Sequence, residues 1–236
     1  MRLLFGLIIL LGCNFSVYAS SPYIEGHYNK VSPDTVSTQS KTATIGTYAF
    51  TGNENTLTHK DDSVFGFEIG VANLDIPNCD TGFFVNFCSN KLRIGYSYLK
   101  PHLKLKSSTI NGSVTDGTTT LTGSMTPTPA NWASLGISFD NDVELKMLNL
   151  YYDFNYNEVI KPFLGFGLGY ADIQNTDGSE FATSFIGGAK YYLNKKSYLG
   201  AKFNWTTISG PTDKVFAIKY NDIDVFTSTI IIGFEF

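Results

Sequence analysis

Beyond residue 20 the chain is written in period two. Leu148, Leu150, Tyr152, Phe154 and Tyr156 alternate with Asn149, Tyr151, Asp153 and Asn155, which gives one strand an apolar and a polar face. After Asn157-Glu158 the pattern resumes, with Pro162, Leu164, Phe166, Leu168 and Tyr170 set against Phe163, Gly165, Gly167, Gly169 and Ala171. Phe181, Phe185, Gly187, Ala189, Tyr191 and Leu193 oppose Ser184, Gly188, Lys190 and Tyr192. Leu199, Ala201, Phe203 and Trp205 oppose Gly200, Lys202, Asn204 and Thr206. Phe226, Ile230, Ile232, Phe234 and Phe236 oppose Thr227, Thr229, Gly233 and Glu235. In the N-terminal half, Ile24, Gly26 and Tyr28 face away from Tyr23, Glu25 and His27, and Phe65, Phe67, Ile69 and Val71 from Gly66, Glu68, Gly70 and Ala72. Leu92, Ile94, Tyr96 and Tyr98 likewise oppose Arg93, Gly95 and Ser97. The alternation predicts eight strands, over 22–30, 63–73, 91–105, 143–156, 159–173, 181–194, 198–209 and 224–236.

Eight alternating strands with short turns suit an up-and-down antiparallel barrel, soluble or membrane-embedded, since both give the same alternation. Three features favour the membrane. The large apolar face carries Tyr, Trp and Phe towards strand ends, as interfacial girdles do. The other face is crowded with Gly, Ala, Ser and Thr, punctuated by Glu25, Glu68, Arg93, Asp153, Lys190, Lys202 and Glu235. Glycines would only weaken a water-exposed sheet, whereas small residues and opposite charges can fill a narrow eight-stranded interior as a salt-bridged network. The connections are also asymmetric. If the chain starts on the periplasmic side, 31–62, 106–142, 174–180 and 210–223 lie outside, while Asn157-Glu158 and Lys195 to Ser197 are very short inner turns, the arrangement of outer-membrane barrels. The inner connection 74–90 is longer than this rule predicts. The fold class expected is therefore all-β, an eight-stranded antiparallel up-and-down transmembrane β-barrel.

The N-terminal segment gives the export route. Met1-Arg2 is a short positive start, Leu3 to Leu11 is apolar apart from Gly6, and Val17-Tyr18-Ala19 offers small residues to a signal peptidase, so 1–19 is expected to be a cleaved signal peptide and 20–236 the barrel domain. A competing reading sees a lipoprotein box in Leu10-Leu11-Gly12-Cys13, to which Leu11 is a poor fit. In an exported chain, Cys79 and Cys88, separated by Asp80 to Phe87 with no nearby His or third Cys, read as a local disulfide; the alternative is two free thiols.

Composition narrows the classes further. With 43% hydrophobic, 15% aromatic and 16% charged residues, the chain is unlike disordered sequences. After residue 20 no apolar run approaches the ~18 residues of a spanning helix. A formal charge of -4, without a clustered basic face, gives no support to a nucleic-acid partner.

The chain closes on Ile230-Ile231-Ile232-Gly233-Phe234-Glu235-Phe236, which resembles the C-terminal signature of outer-membrane proteins read by the barrel-assembly machinery, with Ile230, Ile232, Phe234 and Phe236 as its alternate positions. Together with Asn149-Leu150-Tyr151-Tyr152-Asp153-Phe154 and Pro162-Phe163-Leu164-Gly165-Phe166-Gly167-Leu168-Gly169-Tyr170-Ala171, residues 143–236 resemble the opacity-protein and rickettsial surface-antigen families, within the OmpA-like superfamily of eight-stranded barrels. The resemblance implies a bacterial outer-membrane location among lipid and lipopolysaccharide, a barrel that serves as anchor, and outer loops that meet host surface molecules as adhesins or immune targets.

Candidate chemistry is sparse. No H-E-x-x-H, G-x-S-x-G or P-loop occurs, and the histidines are His27, His59 and His102. His27 falls beside Glu25 on the polar face and reads as structural. His59 precedes Lys60, Asp61 and Asp62 and reads as part of a solvated cluster without the spacing of a calcium loop. His102 with Ser107 or Ser108 is the one pairing that a lipid-A-modifying barrel enzyme would suggest. The expectation is a non-enzymatic surface protein with a filled polar lumen and no cofactor or metal; a small passive pore and the lipid-modifying enzyme are the alternatives. From Ser107 to Thr128, and again over 34–58, the outer loops are dominated by Thr, Ser and Gly, a composition of exposed hairpin tips.

Overall fold

The computed structural model describes residues 21–45, 47–52, 55–74, 92–134, 139–154, 157–214 and 218–236. The expected signal peptide, Cys13 and the Cys79–Cys88 pair lie outside the described residues. In chain order the strands are β1 (Ser21–Pro33), β2 (Val36–Ser37), β3 (Lys41–Ile45), β4 (Tyr48–Gly52), β5 (Thr56–His59), β6 (Asp62–Leu74), β7 (Leu92–Leu99), β8 (His102–Leu103), β9 (Leu105–Thr115) and β10 (Thr120–Met125). A short helix α1 (Pro129–Ser134) follows, then β11 (Asn141–Asp153), β12 (Ile160–Ile173), β13 (Ser179–Tyr192), β14 (Ser197–Ile208) and β15 (Ile223–Glu235).

Eight of these strands close on themselves. The order β1-β6-β7-β11-β12-β13-β14-β15 is antiparallel at every step, and β15 returns to β1 with Tyr23 opposite Glu235 and Pro33 opposite Val225. Closure satisfies every edge, as a sheet in lipid requires. The apolar face points outward: Ile24, Phe65, Leu150, Leu164, Phe185, Phe203, Trp205 and Ile232 are all exposed on the outer wall. A continuous apolar belt of this size is untenable in water and is what lipid demands, so the ambiguity of the alternation is resolved in favour of the membrane.

The eight expected strands match these eight, with one correction. The third was expected to run over 91–105, but β7 stops at Leu99 because Pro101 has no N–H to continue the ladder; its carbonyl instead accepts a bond from the Val143 N–H at 3.0 Å. The chain then starts afresh as β8 and β9. The expected outer loops also hold regular structure. A second sheet of order β2-β5-β9-β4-β3, with β10 on the other side of β9, stands above the barrel mouth. The Thr, Ser and Val of β9 suit a strand as well as a loop. Helix α1 is capped reciprocally: the Asn131 N–H donates to Thr128 Oγ1 at 3.3 Å and the Thr128 N–H to Asn131 Oδ1 at 2.8 Å. The inner turn 193–196 shares an end with both described termini, where the Glu235 N–H donates to the Lys196 carbonyl at 2.8 Å and the Phe236 N–H to the Pro22 carbonyl at 2.9 Å.

Candidate functional site

The interior divides into two unlike halves. In the half near the termini, pairing sets Glu25 directly opposite Glu68 across β1 and β6, a juxtaposition of like charges that is destabilising unless it is neutralised. Arg93 on β7 reaches both: its Nη1 lies 3.0 Å from Glu25 Oε1 and 3.5 Å from Glu68 Oε1. Lys202 Nζ on β14 lies 3.1 Å from Glu68 Oε2. Tyrosine hydroxyls complete the shell, Tyr23 and Tyr151 donating to Glu68 at 2.6 and 2.7 Å and Tyr198 to Glu25 at 2.7 Å. His27 Nε2 and Glu25 Oε2 are 2.9 Å apart, and Asn149 donates to Glu68 at 3.2 Å. The Arg93 guanidinium also stacks on the Tyr151 ring at 3.9 Å, so part of its charge meets a π face.

A second tier lies closer to the termini. Lys190 Nζ is 3.3 Å from Glu235 Oε1 and 3.9 Å from Asp153 Oδ2, Tyr192 donates to Glu235 at 2.7 Å, and Asp153 Oδ2 lies 3.4 Å from Arg93 Nε. All seven charged positions expected on the polar face therefore line the lumen, Glu25, Glu68, Arg93, Lys190, Lys202 and Glu235 buried and Asp153 at the rim of the tier. Glu25, His27 and Glu68 also bring ligand atoms within 4.8 Å of one another, but Arg93 and Lys202 already supply positive charge to those oxygens.

The tyrosines of this plug were not singled out from sequence, although a signal was there. Tyr23 pairs with Gly70, Tyr151 with Gly165 and Tyr198 with Gly233. A bulky ring on the small-residue face is matched each time by a missing side chain on the neighbouring strand. At Gly233 an added Cβ would strike the Tyr198 ring, and at Gly95 it would strike the Tyr23 hydroxyl.

The outward half departs from the expected polar lumen. Val31, Leu103, Val143, Met147, Ala171, Ile173, Ala182, Ile208 and Val225 form a buried apolar cluster inside the barrel. Above it lies a cavity of about 50 Å³ roofed by Val36, Leu57, His59, Pro211 and Tyr220. The roof is held by backbone bonds between distant segments, the Asn221 N–H donating to the Ser37 carbonyl and the Gln39 N–H to the Lys219 carbonyl, both at 2.8 Å.

His59 is not part of a solvated cluster. Alternation along β5 turns Leu57 and His59 inward, and His59 is only 8% exposed; burial holds its imidazole below the ordinary histidine range. Its sequence neighbours go elsewhere: Asp61 pairs with Lys30 at 3.1 Å, and Asp62 accepts the His102 backbone N–H at 2.8 Å. The His102 ring bonds Asp142 at 2.6 Å, while the Ser108 hydroxyl donates to the Pro127 carbonyl at 3.0 Å and accepts the Trp132 indole N–H at 2.8 Å. His102 and Ser108 thus each have other partners. Ile230, Ile232, Phe234 and Phe236 stand exposed on the lipid face.

Comparison with solved structures meets the same architecture. The outer membrane protein AlkL, solved in lipid bilayers, superposes with a TM-score of 0.50 at 15% identity over 94% of this chain and 93% of its own. This is an eight-stranded outer-membrane β-barrel. OprG from Pseudomonas aeruginosa (16% identity, 92% of this chain and 96% of its own, TM-score 0.46) and Neisserial surface protein A (12%, 94% and 100%, 0.47) are also similar in shape. At such identities the likeness concerns the fold. No family model matches the chain, and no curated protein does.

Proposed function

We propose that this outer-membrane barrel is a closed anchor for a recognition surface outside the cell, an adhesin-like or surface-antigen role, and that it acts by binding rather than by catalysis. The observation that carries the reading is the pairing of a charge-filled inner lumen with a folded outer sheet. Arg93, Lys190 and Lys202 tie non-adjacent strands together across the lumen, and above them the mid-lumen cavity amounts to about 30 Å³, which favours an anchor over a passive pore. Outside, every residue of β10 is exposed, and the β9–β10 turn is held by Asp116, whose Oδ1 accepts the N–H groups of Thr118 and Thr119 at 2.9 and 2.7 Å. A rigid, Thr- and Ser-rich hairpin with exposed Leu121 and Met125 offers hydrogen-bonding and apolar contacts to a surface molecule of a host.

Bacteria displaying the barrel are expected to adhere to host cells, and to lose adherence when residues 113–122 are replaced by a tight two-residue turn. The shortened protein should still show heat-modifiable migration, which reports a folded barrel. Equal adherence of the two forms, or steady ion conductance of the refolded wild type in planar bilayers, would count against this reading.

A further inference from the structure

The outward cavity has the features of a ligand site. Its lining is mostly apolar, with Asn141, Thr176 and Thr227 as neutral polar members, and, His59 aside, carries no ionisable acid or base other than the Tyr220 phenol, which burial and Asp213 push up to about 12. His59 is the unsatisfied group. Neither ring nitrogen makes a hydrogen bond of ordinary geometry. A neutral imidazole of either tautomer carries one N–H and one bare acceptor nitrogen, and both are buried here. A buried acceptor without a donor is costly, and a molecule that brings an O–H to it removes that cost.

Shape narrows the choice. An apolar cavity that takes a benzene ring measures about 150 Å³; at about 50 Å³ this one is too narrow for a ring and suits an unbranched chain of a few carbons. We propose that the cavity beneath the outer cap binds a small, neutral, unbranched alcohol, its hydroxyl donating to His59 and its chain lying among Leu57, Leu103, Val143, Ile208 and Val225. A fatty acid is disfavoured, because an ionised carboxylate would meet no cation and could not donate.

The test is methyl NMR on the barrel in lipid nanodiscs, titrated with 1-propanol and with methoxyethane, an isomeric ether that lacks the donor. Expected are saturable shifts at Leu57, Leu103, Val143, Ile208 and Val225, with the ether weaker by at least about fivefold. His59→Phe should abolish that preference, and His59→Gln, which keeps an acceptor, should retain it. The alcohol–ether comparison on the wild type stands even if a variant folds poorly. Equal affinity for both molecules, or shifts confined to lipid-facing Leu150 and Leu164, would overturn the proposal; the second result would mean that the alcohol enters the bilayer and the cavity holds water.

Discussion

The inner and outer halves of this lumen solve one packing problem in opposite ways. Both must fill a tube walled by eight strands. The inner half does so with long charged and aromatic side chains whose polar ends find one another: Glu68 alone receives Tyr23, Tyr151, Asn149 and Lys202. The outer half does so with Val, Ile, Leu and Met, which need no partners and leave a gap. A polar network tolerates little rearrangement, because each group that moves strands another in a low-dielectric setting. An apolar lining tolerates empty space, and that tolerance gives the outer half room for a guest. Rigidity sits where the barrel must be shut and slack where something can enter.

The sharpest way to break this comparison is to remove a charge from the inner half. Arg93→Met leaves Glu25 and Glu68 facing each other across β1 and β6 and is expected to destabilise the barrel by about 3–5 kcal/mol. Urea unfolding from lipid vesicles, followed by the fluorescence of lipid-facing Trp205, checks it. Adding Glu25→Gln should recover part of the loss, since Glu68 keeps Lys202 while Glu25 has lost its arginine. An unmoved midpoint in Arg93→Met would mean that the inner half is not held by its ion pairs. A smaller effect is expected in the outer half, where Ile208→Ala enlarges an existing cavity and should cost about 2 kcal/mol, the low end for such truncations. If Ile208→Ala proves the costlier change, the assignment of rigidity to the inner half fails.

The smallest effect concerns the cap. Asp116 is held down to about 2 by the N–H groups and hydroxyl of the hairpin turn, against 3.8 for an ordinary aspartate. A depressed carboxyl contributes order above its unfolded value and loses that contribution as pH falls through the folded one. Acidification from about pH 4 to pH 2 should therefore loosen the turn. Thr118 and Thr119 amide shifts should move over that window while methyl signals of the apolar cluster stay in place. Joint movement of both regions would show that the cap and the outer lumen unfold as one unit.

The strands could be read from sequence because a membrane barrel enforces alternation with unusual strictness: one face meets only lipid, the other only side chains. The seven interior charges followed from that same period. The plug tyrosines were harder to single out, since Tyr serves the lipid interface and the lumen equally well; only the glycines paired across from them separate the two. The apolar outer lumen inverts the alternation: on β11 the inward Val143, Leu145 and Met147 are apolar while Glu144 and Lys146 between them are charged, the opposite of Leu148, Asn149 and Leu150 further along the same strand. His59 was obscured by its neighbours. Three adjacent charged residues suggest solvent, whereas the four-residue alternation of β5, too short to register, turns the imidazole inward. The sheet above the barrel rests on pairings such as Thr51 with Ser113, which no local pattern announces.

The seam between β1 and β15 sets an order of events. Tyr198 reaches Glu25 across 173 residues of chain and Thr229 reaches Asn29 across 200, so the plug cannot be completed while β14 and β15 are still unmade. A chain made N-terminus first holds Glu25 and Glu68 before Tyr198 and Lys202 exist to meet them. Loops this long are slow to close. The last strand made is the one that locks the first.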